Sequence, residues 1–165
     1  MKESIGSRGD CKLSGSEISE PCLTLVGVGP GDPSLLTLAA VREIQNATLV
    51  AYPFSRLGLD GMAATIAAEW ISGKKKLPLV FSMVQDSITR QKGWRDAGDQ
   101  LAAAVMEGEQ VVFLCLGDVS LFATSSYILL DIKARHPECP IRLVPGVTSM
   151  SAAAATAAWP LALQK

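Results

Sequence analysis

Residues 111–116 read VVFLCL, six apolar side chains with no polar residue between them. A strand with one face in water alternates apolar and polar positions, so this run fits a strand covered on both faces. Residues 22–28, CLTLVGV, form a second run short enough for a buried strand. Strands covered twice belong to parallel sheets packed between helices, and the intervening segments supply the helices. ATLVAYP at 47–53, KLPLVF at 76–81 and IRLV at 141–144 complete five strand candidates, one ended and one interrupted by proline.

The first helix is expected from about Pro33, with Leu36, Ala40 and Ile44 at steps of four on one face. Others are expected over 60–71, near 88–107, over roughly 121–135, and through the alanines after PGVTS. The long one at 88–107 sets Trp94, Ala97, Leu101, Ala104 and Val105 on one stripe, with Gly108 placed to end it. Strand and helix alternate throughout, which predicts a three-layer α/β domain with a mostly parallel sheet of about five strands. A length of 165 residues suits one such domain.

A chain that is 48% hydrophobic and 19% charged is aliphatic-rich and globular. Its formal charge of −1 gives no long-range attraction for nucleic acid or an anionic membrane. No apolar run approaches a membrane span. The opening stretch lacks the apolar core of a signal peptide, so residues 1–21 are expected as a disordered polar tail. Cys11, Cys22, Cys115 and Cys139 form no C-x-x-C pair, which predicts free thiols, a reducing, cytoplasmic setting and no metal site.

Three glycine-bearing loops follow strands: GVGPGDP after the first, LGDVS after the fourth and PGVTS after the fifth. In a parallel α/β sheet, ligands sit beyond the carboxyl ends of the strands, and three such loops at one end predict a crevice. The first loop resembles a phosphate cradle without being one. A dinucleotide fingerprint needs glycine where Asp32 stands, and no G-K-S or G-K-T exists. Asp32 followed by Pro33 predicts a capped helix start, a negative charge where a phosphate would bind. Pro30 removes a further backbone donor.

Other chemistry has weak support. His136, the sole histidine, precedes a proline in a polar turn and reads as surface. Cys115 reads as a packing residue within its strand, and Lys74, Lys75 and Lys76 as a solvated run. No G-x-S-x-G elbow occurs and no catalytic base is assigned. Asp118 fits either a helix N-cap or a ligand contact.

GVGPGDPSLLTLAAV, LGDVSLFATSSY and VPGVTSMSAAAA, in this order and spacing, resemble the tetrapyrrole methylases over residues 22 to 165. These enzymes methylate ring carbons of cobalamin and sirohaem precursors with S-adenosylmethionine. The resemblance implies that residues 22–165 are the N-terminal half of that fold, that a second domain absent from this chain completes the cleft, and that the enzyme is a homodimer. Carried onto this chain, it implies cofactor contacts from Pro30, from Leu116, Gly117, Asp118 and Leu121, and from Thr148 and Ser149. YP at 52–53, FSMVQD at 81–86 and LGDVSLFATSSY at 116–127 most resemble the branch that methylates precorrin-2, or its cobalt complex, at carbon 20 to give precorrin-3A. The uroporphyrinogen-III branch has aspartate where Pro53 stands; that branch, a later precorrin methylase and a non-catalytic fragment are the alternatives. Arg90, Lys92 and Arg95 are candidates for the carboxylates of such a substrate, or simply a solvated helix face. Tyr52 and Phe81 are candidates to pack on a flat macrocycle, or on each other. Departures from the family pattern are Val119 and Ser82, where proline is common, and Trp159, where glycine is common.

Overall fold

Leu23–Gly27 (β1) and Val111–Cys115 (β4) are buried at every position. They lie side by side in parallel, from Leu23 against Val111 to Gly27 against Cys115. This is the centre of a five-stranded sheet in a computed structural model that describes residues 20–54, 61–81 and 87–163. Most of the expected tail, residues 82–86 of the FSMVQD motif, Asp60 and Lys165 fall outside the described residues. The other strands are Leu49–Phe54 (β2), Lys75–Val80 (β3) and Ile141–Val144 (β5). Their order is β3-β2-β4-β1-β5, and every pairing is parallel. Pro78 is tolerated because β3 is an edge strand, bonded only to β2.

Alternate side chains of the central strands enter two separate cores. Leu23, Leu25, Ala51 and Phe113 pack against Ser87–Met106 (α4) and Thr124–Arg135 (α5) through Leu101, Val105, Ile128 and Ile132. Val26, Val50, Val112 and Leu114 pack against Leu38–Asn46 (α1), Met62–Ile66 (α2) and Ala68–Ile71 (α3) through Ala40, Ile44, Ile66 and Ile71. These are the three predicted layers. Ser149–Thr156 (α6) buries none of its residues. At the sheet edge, Arg142 of β5 pairs with Glu43 of α1 at 2.7 Å.

Three helix boundaries differ from expectation. The helix expected at Pro33 is a single 3-10 turn, Pro33–Leu35, after which Leu36 is extended and α1 begins behind a new N-cap, Thr37. The expected stripe holds inside α1, where Ala40 and Ile44 are buried. The 60–71 segment breaks at Ala67 into α2 and α3. The helix expected near 121 starts at Thr124, because Phe122 adopts a left-handed φ of 50° that no helix accommodates. Gly108 ends the 88–107 pattern as expected, one residue past Glu107 and with φ 96°.

Candidate functional site

The chain leaves β1 toward α1 on one face of the sheet and leaves β4 toward α5 on the other. Neighbouring strands whose connections diverge in this way open a crevice at their carboxyl ends. The three glycine loops meet there. Gly29 N–H donates to Gly117 O at 3.1 Å, and Gly117 N–H donates to Gly29 O at 2.8 Å. A Cβ on Gly27 would sit 2.6 Å from Gly146 N and 2.7 Å from Gly117 O. A Cβ on Gly146 would overlap Gly117 O and lie 2.8 Å from Gly27 C. Only backbone without side chains lets the three loops approach this closely.

Asp118 locks the arrangement. Its Oδ1 accepts from Gly146 N–H at 3.0 Å, joining the second loop to the third. Its Oδ2 accepts from Ser120 N–H at 2.8 Å and Ser120 Oγ at 2.6 Å. Burial alone raises the carboxyl pKa, but the bonds from the Ser120 hydroxyl and from the Ser120, Gly146 and Val119 amides outweigh it and hold the group below its usual range. Asp118 is therefore not a helix cap: α5 begins behind Ala123 with no side-chain cap. Ser125, fully buried, donates to Val119 O at 2.8 Å and fixes the loop from the other side.

Pro30, Leu116, Gly117, Asp118, Leu121, Thr148 and Ser149 all line one cavity of about 250 Å3. Phe122 and Met150 line it too, and the sequence reading had not singled them out. An aromatic side chain two residues past the Gly-Asp-Val-Ser turn was the available signal for Phe122. Thr148 also caps α6, its Oγ1 accepting from Ser151 N–H at 3.1 Å.

The other candidates lie elsewhere. Tyr52 is buried in the α1–α3 core, whereas Phe81 packs edge-on to Phe113 in the opposite core, ring centroids 6.3 Å apart. The two rings are thus on different faces of the sheet and do not pack on each other. Arg90, Lys92 and Arg95 are exposed on α4, and none of them lines the cavity. His136 is not plain surface: its ring bonds Asp99 at 2.7 Å, and Arg135 reaches the same carboxylate at 2.7 Å, tying α5 to α4. Lys74 Nζ donates to the carbonyls of Gln45 and Ala47 at the end of α1, so that run is not purely solvated. Cys115 is a packing residue, with its thiol pushed up to about 12 by burial.

Asp32 does not sit on an α-helix terminus. It accepts from Ser34 N–H at 2.8 Å within the 3-10 turn, while Thr37 caps α1. The cavity itself is ill suited to a phosphate. Among its described lining residues there is one carboxylate and no lysine, arginine or histidine. That set suits a ligand with hydroxyl, amino and apolar parts and no phosphate.

The sequence matches the family Tetrapyrrole (Corrin/Porphyrin) Methylases over residues 22–165. It is 34% identical to cobalt-precorrin-2 C(20)-methyltransferase of Salmonella typhimurium, over 87% of this chain and 60% of that protein. It is 33% identical to the probable cobalt-precorrin-2 C(20)-methyltransferase of Methanocaldococcus jannaschii, over 82% of this chain and 57% of that protein. The chain thus spans somewhat over half the length of these relatives. The uroporphyrin-III C-methyltransferase of Thermus thermophilus, solved with S-adenosylhomocysteine, superposes with a TM-score of 0.57 at 30% identity, over 80% of this chain and 47% of that one.

Proposed function

The chain belongs to the tetrapyrrole methylase family, and on that premise we propose that it is the cofactor-contacting part of an S-adenosylmethionine-dependent C-methyltransferase acting on precorrin-2 or cobalt-precorrin-2 at carbon 20. One observation carries this reading. The residues that the family motifs mark as cofactor contacts, drawn from three loops far apart in the sequence, line a single cavity. Pro30, Leu116 and Leu121 provide apolar surface for an adenine, Thr148 and Ser149 hydroxyls, and Asp118 negative charge near an α-amino group or sulfonium. S-adenosylmethionine supplies a methyl group already activated on a positive sulfur. The work of the chain is to bind, orient and exclude water, and orientation alone contributes about 7–11 kcal/mol in favourable systems.

Asp118 serves this by rigidity as much as by charge, since both carboxylate oxygens are already engaged in joining loops. Pro53 stands where the uroporphyrinogen-III branch has aspartate, which supports the carbon-20 assignment. We also propose a cytoplasmic homodimer; the free buried thiols of Cys22, Cys115 and Cys139 support a reducing setting.

Calorimetric titration of the chain with S-adenosylhomocysteine tests the cofactor assignment, with saturable one-site binding expected and absence of heat refuting it. Incubating the enzyme with precorrin-2 and methyl-labelled cofactor, then locating the label by NMR, tests the substrate. Label at carbon 20 is expected; label at another carbon would assign the chain to another branch.

A further inference from the structure

A serine buried in a helix ordinarily gives its hydroxyl to a carbonyl three or four residues back in the same helix. Ser125, in the first turn of α5 and fully buried, instead reaches six residues back, out of the helix, and donates to Val119 O at 2.8 Å. Ser126 donates to the same oxygen at 3.3 Å. A buried hydroxyl is costly unless it is bonded, and alanine would fill the same place without one while being the better helix former. What alanine cannot supply at 125 is the bond to the loop.

The peptide unit that receives this bond has a second end. Val119 O and the Ser120 N–H belong to one planar group, in which oxygen and hydrogen point in opposite directions. The Ser120 N–H donates to Asp118 Oδ2 at 2.8 Å, and Asp118 Oδ1 accepts from Gly146 N–H at 3.0 Å. A carbonyl fixed from α5 thus aims the N–H at Asp118, and Asp118 in turn holds the third loop to the second. If the unit turns, the N–H swings off the carboxylate. The Ser120 hydroxyl, 2.6 Å from the same oxygen, is a rotor and does not set its direction alone. Phe122 points the same way: its left-handed φ of 50° lies between the loop and α5, and such strain persists only where the surroundings over-determine it.

We infer that Ser125 is a positioning residue of this site, which through the 119–120 peptide orients Asp118 and so keeps the second and third loops together. Ser125 is not among the residues that line the cavity, so it acts without touching a ligand. Its effect on cofactor affinity rests on the function proposed above; its hold on Asp118 does not.

The test uses Ser125→Ala, Ser125→Cys and Ser126→Ala. In Ser125→Ala the Ser126 hydroxyl still reaches Val119 O, so the carbonyl keeps a donor and the chain is expected to fold, with a slightly lower melting temperature. Amide NMR of the chain without ligand reads the first consequence: the Gly146 amide proton is expected to move upfield, toward its position in Asp118→Ala. Calorimetry with S-adenosylhomocysteine, carried out below the melting transition, reads the second: affinity is expected to fall tenfold or more. Ser125→Cys keeps the volume but supplies only a weak donor, and under reducing conditions it is expected to repeat both effects. Ser126→Ala is expected to leave the Gly146 resonance in place and affinity within twofold. A Gly146 resonance unmoved in Ser125→Ala, or affinity within twofold of wild type there, would overturn the inference. Wild-type behaviour in Ser125→Cys overturns it too, because volume and not the hydroxyl would then matter. A wild-type chain that binds no S-adenosylhomocysteine, while Gly146 moves in both Ser125 variants, supports the positioning role and refutes the cofactor assignment instead.

Discussion

Gly146→Ala tests the junction on which the site depends. The added methyl would overlap Gly117 O and lie 2.8 and 2.9 Å from Gly27 C and Cα, backbone atoms of the second loop and of the end of β1. Backbone held in a sheet has no rotamer to change, so the loops themselves must separate. Overpacking of this kind costs about 1–3 kcal/mol. Moving Gly146 also stretches its N–H bond to Asp118, and a hydrogen bond to a charged group contributes about 1.5–3 kcal/mol. The two losses share one displacement and are not fully additive, which places the expected destabilisation at about 3 kcal/mol. For a chain of this size that corresponds to a fall in melting temperature of roughly 6–12 °C. Urea denaturation followed by circular dichroism measures the first quantity and a thermal scan the second. S-adenosylhomocysteine affinity should drop together with stability, because the same three loops line the cavity. A variant within about 0.5 kcal/mol of wild type, the range of an ordinary surface change, would show that the loops are not locked through their glycines.

Gly93→Ala is the matched control: it lies inside α4, a Cβ there meets nothing within 4 Å, and the same assays should show a gain of roughly 0.5–1 kcal/mol. Thr37→Ala should destabilise the chain by about 1 kcal/mol through loss of the α1 cap. Asp32→Ala should leave the urea midpoint unchanged, since its partner is an exposed 3-10 turn. The depressed carboxyl of Asp118 stabilises the fold above the unfolded value of about 3.9 and ceases to do so as pH falls through its folded value. Stability measured downward from about pH 4 should therefore fall less steeply in Asp118→Ala, with a residual slope from Asp99, which His136 holds low in the same way.

The sheet was legible because burial on both faces writes itself into sequence as unbroken apolar runs; VVFLCL and CLTLVGV are the two central neighbours. The α4 stripe was legible for the same reason, since Ala97, Leu101, Ala104 and Val105 recur at helical spacing and are all buried. The start of α1 was not. Pro33 suits the first turn of a 3-10 helix as well as an α-helix, and Thr37 offers a second cap four residues beyond Pro33 that brings Ala40 and Ile44 onto the sheet. The break at Ala67 carries no glycine or proline to announce it. In the site, the motif residues were identifiable by resemblance, but their convergence depends on Gly27, Gly117 and Gly146 touching across the sheet end. Contacts between glycine backbones leave no periodic trace in a sequence. The strain at Phe122 is likewise a product of the loop closing around it.

Amide chemical shifts of the chain, recorded by NMR as S-adenosylhomocysteine is added, address the cofactor cleft most directly. We expect the largest changes at Leu116, Gly117, Asp118, Leu121, Thr148 and Ser149, moving together along one binding curve. Changes confined to α4 or α6, or to one loop with the other two still, would contradict a cleft built from all three.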